Sequence, residues 1–135
     1  MADSIRQVDY FYAEVPDKSG EGARLLAALK KARVNMLAFC GFPIASGKSQ
    51  IDMIPENSEA FLRVASQLGH KLSDRKRAFL IQGDDRVGAV SDVIDKLQGI
   101  NIVGAQALSA GAGRWAMILW VKPADYQRAS QALGA

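Results

Sequence analysis

The chain alternates short apolar runs typical of strands with segments in which apolar residues recur every three or four positions, as on one face of a helix. Residues 8–15 form an aromatic and β-branched run, and residues 16–20 have the composition of a turn that starts a helix. The apolar face of that helix is predicted to carry Leu25, Leu26, Leu29 and Ala32. This first part of the chain therefore predicts a strand, a turn and an amphipathic helix.

The same order of features returns later in the chain. Residues 77–82 repeat the strand and residues 83–88 repeat the turn, with Gly88 matching Gly20 at a separation of 68 positions. The apolar face of the second helix is predicted to carry Val90, Val93, Ile94 and Leu97. After the helix the separation falls to 66 positions, so that Asn101 matches Asn35. Such self-similarity indicates an internal repeat whose second copy is two residues shorter.

Each copy continues with a strand, a glycine-containing hairpin, another strand and a second helix closed by glycine. The predicted strands are 34–42 and 48–54 in the first copy, and 101–109 and Arg114–Val121 in the second. The second helices are marked by Phe61, Val64 and Leu68, and by Tyr126, Ala129 and Leu133. The predicted class is therefore α+β, with two ferredoxin-like βαββα repeats, antiparallel sheets and helices on one face.

The predicted repeats occupy residues 1–74 and 75–135. The second repeat lacks a fourth strand after its last helix, and residues 71–73 are the only room for one in the first. The strand Arg114–Val121 is apolar on both faces, so both faces need cover. Because about 70 residues give a marginal core, tight association and a homodimer are expected.

Composition narrows the possible functions. The chain has 135 residues, 49% of them hydrophobic and 23% charged, which is typical of globular domains. It shows neither a membrane-length apolar run nor a signal peptide, so a cytoplasmic location is expected. One cysteine (Cys40) and one histidine (His70) exclude an intramolecular disulfide and an ordinary zinc site. No metal, cofactor or catalytic set is predicted. The net charge of +3 is concentrated in residues 71–77, as in a solvated linker.

Each copy resembles the ACT domain, a small-molecule-binding regulatory module of amino-acid metabolism. The resemblance is carried by Val-Pro-Asp-Lys-Ser-Gly at 15–20 and Val-Asn-Met at 34–36 in the first copy. In the second it is carried by Asp-Arg-Val-Gly at 85–88 and Gly-Ile-Asn-Ile at 99–102. It implies ligand sites at the first helix turns. The predicted site residues are Asp17, Lys18, Ser19, Gly20 and Asn35, and Asp85, Arg86, Val87, Gly88 and Asn101.

These residue types suit a free amino acid, which needs N–H donors for its carboxylate and oxygen acceptors for its ammonium. The Asp-x-x-Gly turns offer backbone N–H groups where a helix begins, and the Asp and Asn side chains offer acceptors. Each Asn is expected to complete a site across the junction between units. The alternative is a structural role without ligand binding, in which each Asp is an N-cap and each Gly is a turn residue.

Two other functions share this order of elements. The RNA-recognition motif stacks bases on aromatic residues of its central strands, and Trp115, Trp120 and Phe79 lie in comparable strands. Against it, the basic-then-glycine order is reversed at Gly113-Arg114, and Met117 stands where an aromatic is expected. The second alternative is a ligand-free interaction scaffold. The favoured prediction is a stand-alone regulatory module that acts on a separate protein.

Overall fold

A computed structural model describes residues 3–16 and 20–135. Six strands and four α-helices follow one another in these residues. They are β1 Ser4–Pro16, α1 Glu21–Lys31, β2 Met36–Pro43, β3 Lys48–Pro55, α2 Ser58–Leu68, β4 Lys76–Asp84, α3 Ala89–Asp95, β5 Ile102–Gly111, β6 Arg114–Val121 and, after a 3-10 turn at Pro123–Asp125, α4 Tyr126–Leu133. None of the described helices has the length and apolar character needed to cross a bilayer. The predicted α+β class is confirmed.

The chain divides into two compact units. The central unit is Asp9–Lys76, and the terminal unit joins the segment through Val8 to Arg77–Ala135. The long strand β1 therefore supplies residues to both units. The predicted division into repeats at residue 74 stays a prediction, because the compactness of a unit does not test the limits of a repeat.

In the central unit the strand order is β2-β3-β1, with both pairs antiparallel. The core contains Leu25 and Leu29 of α1 together with Phe61 of α2. The buried face of α1 is narrower than predicted, because Leu26 is 36% exposed and Ala32 is also exposed. A fourth-strand position is present as a single bridge between Ala13 and Leu72, inside the segment that the sequence leaves for it.

In the terminal unit the strand order is β1-β4-β6-β5. Residues 4–8 of β1 thus stand in the place of the fourth strand that the second repeat lacks. Gln7 fastens this segment, since its Nε2 donates to Ser130 Oγ at 3.0 Å and its Oε1 accepts from Arg77 Nη1 at 3.1 Å. Without residues 4–8, the edge of β4 would present unpaired backbone groups.

Matched aromatic pairs anchor the two cores. Phe11 and Phe61 stack with ring centroids 5.1 Å apart, and Phe79 and Tyr126 stack at 4.7 Å. Phe79 lies 68 positions after Phe11, the separation found in the sequence repeat. Both pairs join a first strand to the start of a second helix. The packing therefore repeats as well as the order of elements.

Strand β6 is buried on both faces, as its sequence predicts. Trp115 is 3% exposed and Trp120 is 9% exposed, and Ile118 and Leu119 are also buried. Gly104 on β5 leaves room for Trp120, whose Cε3 would lie 3.1 Å from an added Cβ. A second chain is therefore not needed to cover β6, and the homodimer requires another basis.

Helix α3 is shorter than the repeat predicts. It ends at Asp95, and tight-turn hydrogen bonds, such as Leu97 N to Ile94 O at 2.9 Å, carry the chain onward. Leu97 is buried, whereas Val90, predicted on the buried face, is exposed. The change of separation from 68 to 66 positions falls in the segment formed by this helix and the turn that follows it.

Candidate functional site

The structure describes the two predicted ligand turns to different extents. Asp17, Lys18 and Ser19 lie outside the described residues, which resume at Gly20. Gly20 precedes α1 and Gly88 precedes α3, both in the left-handed region with φ of 96° and 84°. A Cβ added at either glycine would meet no atom within 4 Å. The backbone angle therefore requires glycine, and the space beside each turn is open.

The turn at residues 85–88 is tied to the tip of the β5–β6 hairpin. The Asp85 N–H donates to the Gly113 carbonyl at 2.8 Å, and the Asp92 N–H donates to the Gly88 carbonyl at 2.9 Å. The side chains of the turn remain accessible, and Val87 is fully exposed. A ligand can therefore reach the apex of this turn without moving the core.

Arg86 uses all of its N–H donors within the terminal unit. Its Nη1 and Nη2 donate to the two carboxylate oxygens of Asp3, each at 3.0 Å. Nε and Nη2 donate to the Asp92 carboxylate at 3.2 and 2.9 Å, and Nη1 also donates to the Asp84 carbonyl at 3.1 Å. A guanidinium carries five N–H groups. None is left for a ligand while these contacts hold.

The Asp3 carboxylate is enclosed by donors. Besides the Arg86 fork, Trp115 Nε1 donates to its Oδ1 at 3.1 Å, and the side chain is only 8% exposed. The Arg86 guanidinium lies over the Trp115 ring, 6.0 Å from its centroid. A Cβ at Gly83 would overlap Oδ1 of Asp3. The Arg86 hydrogen bonds hold the pKa of Asp3 below its usual value, against a smaller opposing effect of burial.

The two predicted Asn residues lie far from the glycine turns of their own units. Gly20 and Asn35 flank opposite ends of α1, whose 11 residues span about 16 Å at 1.5 Å per residue. Gly88 and Asn101 likewise precede and follow α3. Asn35 Nδ2 donates to the Glu56 carboxylate at 2.8 Å, so its amide is engaged within the central unit. Neither Asn joins the turn of its own unit in one small site.

A groove opens beside Asn35 where α1 ends. It has a volume of about 410 Å³ and is lined by Leu26, Leu29, Lys30, Arg33, Val34, Asn35 and Met36. Arg33 adopts a left-handed φ of 59° at the residue where helices often place glycine. The matching residue of the second repeat is Gly99, with φ of 80°. The groove therefore lies beside a strained arginine that the other unit lacks.

The residues that favoured RNA binding are not available as a stacking platform. Phe79, Trp115 and Trp120 are all buried, whereas base stacking requires exposed ring faces. Cys40 is also buried, and burial raises the pKa of its thiol, with a smaller contribution from Asp52. Among residues 3–16 and 20–135, no three potential metal-ligand side chains cluster together. These positions therefore offer neither a base-binding surface nor a reactive thiolate.

Comparison of sequences yields no match to a protein-family model or to a curated protein. Comparison of structures does. A protein from Bacteroides thetaiotaomicron superposes with a TM-score of 0.82 at 14% identity, over 96% of this chain and 88% of that one. The ligand-free regulatory subunit of aspartate kinase from Thermus thermophilus gives 0.67 at 12% identity, over 98% and 94%. The chain has an ACT-type fold.

The same regulatory subunit from Thermus flavus gives a TM-score of 0.59 at 17% identity, over 98% of this chain and 94% of that one. The ACT-type fold thus extends over nearly the whole length of both chains. At these identities the likeness establishes the fold, and the sites have to be argued from this chain's own residues.

Sequence reasoning missed two residues that shape the candidate sites. Asp3 lies 83 positions before Arg86, and no local pattern links them. Arg33 was detectable, because the repeat aligns it with Gly99 at the separation of 66 positions. A non-glycine residue opposite a helix-ending glycine is the signal that indicates the strained backbone.

Proposed function

We propose that the chain is a stand-alone regulatory module of two ACT-like units, which binds a small amino acid or related metabolite and has no catalysis of its own. The observation that carries this proposal is the shared fold with a regulatory subunit, over 98% of this chain and 94% of that chain. In this proposal the signal passes to a separate protein, and both proteins are located in the cytoplasm.

The geometry of the glycine turns supports this proposal. Gly20 and Gly88 share a left-handed backbone and open space around the α-carbon, so a ligand carboxylate can approach the chain closely. Asp17 and Asp85 would accept from the ammonium group. Since Asn35 and Asn101 lie beyond the far ends of the helices, neither would complete a site with the glycine turn of its own unit.

A thermal-shift screen of the twenty amino acids and common nucleotides, repeated with oligo-uridine RNA, tests this function. A ligand that binds only the folded state stabilises it by about 2.7 kcal/mol at a hundredfold excess over its Kd. We expect a shift with an amino acid, lost in Asp17→Ala and Asp85→Ala and retained in the matched control Asp95→Ala. A response to RNA alone would overturn the proposal, and no response to any ligand would favour the scaffold.

We also propose a homodimer, formed through the edge strand β5. This strand lies at the end of its sheet, and residues 103 and 105–111 are exposed. No charged residue occurs between Ile102 and Gly113. Natural edge strands are usually protected by charges, proline or a covering segment. Pairing of β5 with its copy would cover both edges through a two-fold axis.

Sedimentation equilibrium of single-lysine variants tests the dimer. Ala107→Lys places like charges near the axis of a β5–β5 pair, and we expect it to shift the population to monomer. Gln67→Lys on α2 adds the same charge at an exposed position outside the edge and should leave the dimer intact. A chain that is monomeric at tens of micromolar before any substitution would contradict this assembly.

A further inference from the structure

The contacts around Asp3 have the chemistry of a carboxylate receptor. A planar fork of N–H groups from Arg86 meets both oxygens at 3.0 Å, and an indole N–H from Trp115 adds a donor at 3.1 Å. A guanidinium fork pairs bidentately with carboxylates and phosphates, and the group that it holds here is a carboxylate. The pocket is also built to size, since a side chain at Gly83 would fill the place of the carboxylate oxygen.

Asp3 is held mainly by these donors. It lies just before β1, which begins at Ser4, so it takes no part in the strand itself. The neighbouring segment has its own anchors, because Gln7 bonds to Ser130 and Arg77. Withdrawal of the Asp3 side chain therefore leaves β1 fastened while it frees the fork of Arg86 and the indole N–H of Trp115.

We propose that Gly83, Arg86 and Trp115 form a binding site for the carboxylate of a free amino acid, and that Asp3 occupies this site as an internal competitor. The inference rests on the proposed regulatory function and deepens it, since Arg86 belongs to the predicted ligand turn at residues 85–88. The internal carboxylate reduces the apparent affinity by the fraction of time that it fills the site. The site in the terminal unit is therefore held closed until a ligand outcompetes Asp3.

Removal of the competitor tests this inference. The ¹⁵N-labelled chain is titrated with sodium acetate, and then with glycine, against sodium chloride of equal ionic strength. The readout is the indole N–H resonance of Trp115 and the Nε–H resonance of Arg86. In Asp3→Ala we expect a saturable shift at both, with a midpoint at least about tenfold below that of the unchanged chain. In Asp3→Ala combined with Arg86→Gln, the shift of the Trp115 indole N–H resonance should disappear.

Two further variants make the outcome unambiguous. Asp95→Ala removes an exposed carboxylate of the same unit and should behave as the unchanged chain does. Asp3→Ser has a side chain too short to fill the site and replaces Asp3→Ala if that variant does not fold. A folded Asp3 variant in which neither resonance shifts with acetate would overturn the site, and Asp3 would then be a structural tether. A shift with acetate but not with glycine would overturn the amino acid as ligand.

A negative acetate titration and a negative amino-acid screen contradict different proposals. Acetate binding in Asp3→Ala reports the receptor chemistry of Arg86 and Trp115 alone. The thermal-shift screen reports whether the unchanged chain recognises an amino acid at all. A negative screen with a positive acetate titration would therefore contradict the proposed function and leave the carboxylate site in place.

Discussion

The helices α1 and α3 end in similar ways, yet with different residues. In the central unit the Arg33 N–H donates to the Lys30 carbonyl at 3.0 Å and the Val34 N–H to Leu29 at 2.9 Å. In the terminal unit Gly99 takes the left-handed position that Arg33 takes in the central unit. Glycine adopts this angle without steric cost, whereas arginine is strained by it. The strained Arg33 lines the groove of about 410 Å³ at the end of α1.

The largest expected effect comes from the feature that the units share, the aromatic pair in each core. Phe61→Ala should lower the free energy of unfolding by about 3–5 kcal/mol, because it removes a fully buried ring and leaves a cavity. Phe79→Ala is the matched change in the terminal unit and should cost a similar amount. Denaturant unfolding followed by circular dichroism measures both. If either substitution lowered the free energy of unfolding by less than about 1 kcal/mol, the two aromatic pairs would not be equivalent in stabilising their cores.

The next largest effect belongs to a contact described only in the terminal unit. Asp3→Asn should lower the free energy of unfolding by about 1–2 kcal/mol, since it weakens charge-assisted hydrogen bonds to a partly exposed arginine. The folded-state pKa of Asp3 is below its unfolded value of 3.8. Its contribution is therefore present above pH 3.8 and is lost as the pH falls through the folded pKa.

Unfolding of both proteins at several pH values checks this prediction. The difference between the unchanged chain and Asp3→Asn should be constant near neutral pH and should shrink below about pH 4. A difference that stays constant down to pH 2 would show that the Asp3 charge does not stabilise the fold. Asp95→Asn provides the control for a carboxylate that is exposed.

Substitutions at the ends of α1 and α3 should change the free energy of unfolding by less, and with opposite signs in the two units. Arg33→Gly should raise the free energy of unfolding by about 0.5–1 kcal/mol, because glycine relieves the left-handed strain. Gly99→Ala should lower it by about 1 kcal/mol, and by strain alone, since open space surrounds Gly99. Arg33→Ala is the control, because it removes the side chain but keeps the strain. Equal stability of Arg33→Gly and Arg33→Ala would contradict a backbone cause.

The smallest effect is expected at the apex of the turn before α3. Val87 is fully exposed, so Val87→Ser should change the free energy of unfolding by less than about 0.5 kcal/mol. Thermal unfolding without an amino acid measures what Val87 contributes to stability. Thermal unfolding with an amino acid identified in the screen measures what Val87 contributes to ligand binding. A larger loss of stability without ligand would mean that Val87 packs against the terminal unit.

Much of the fold was predictable because it is local in sequence. Strand β6 is found at its predicted bounds. The hairpin before it has three successive residues with positive φ, Gly111, Ala112 and Gly113, and short glycine hairpins favour such backbone angles. The two helix-closing glycines, Gly69 and Gly134, are also left-handed, as helix ends of this type require. Periodicity and turn chemistry suffice for such elements.

The remainder depends on contacts between distant parts of the chain. Residues 4–8 are mostly polar and give no strand signal of their own, and they take their place because the edge of β4 is otherwise open. The same holds for the candidate site. Arg86 was predicted as a ligand contact from the turn alone, whereas its partner Asp3 depends on the segment that fills this edge.

The sharing of β1 between the units has a consequence for synthesis on the ribosome. Residues 4–8 emerge before residues 77–135, and the unit to which they belong cannot close until those later residues have followed. The closing contacts span most of the chain, and contacts of such high sequence separation form slowly. In the meantime these residues must remain unpaired in water. Because Ser4, Arg6 and Gln7 are polar, this unpaired segment stays hydrated and is less prone to aggregation.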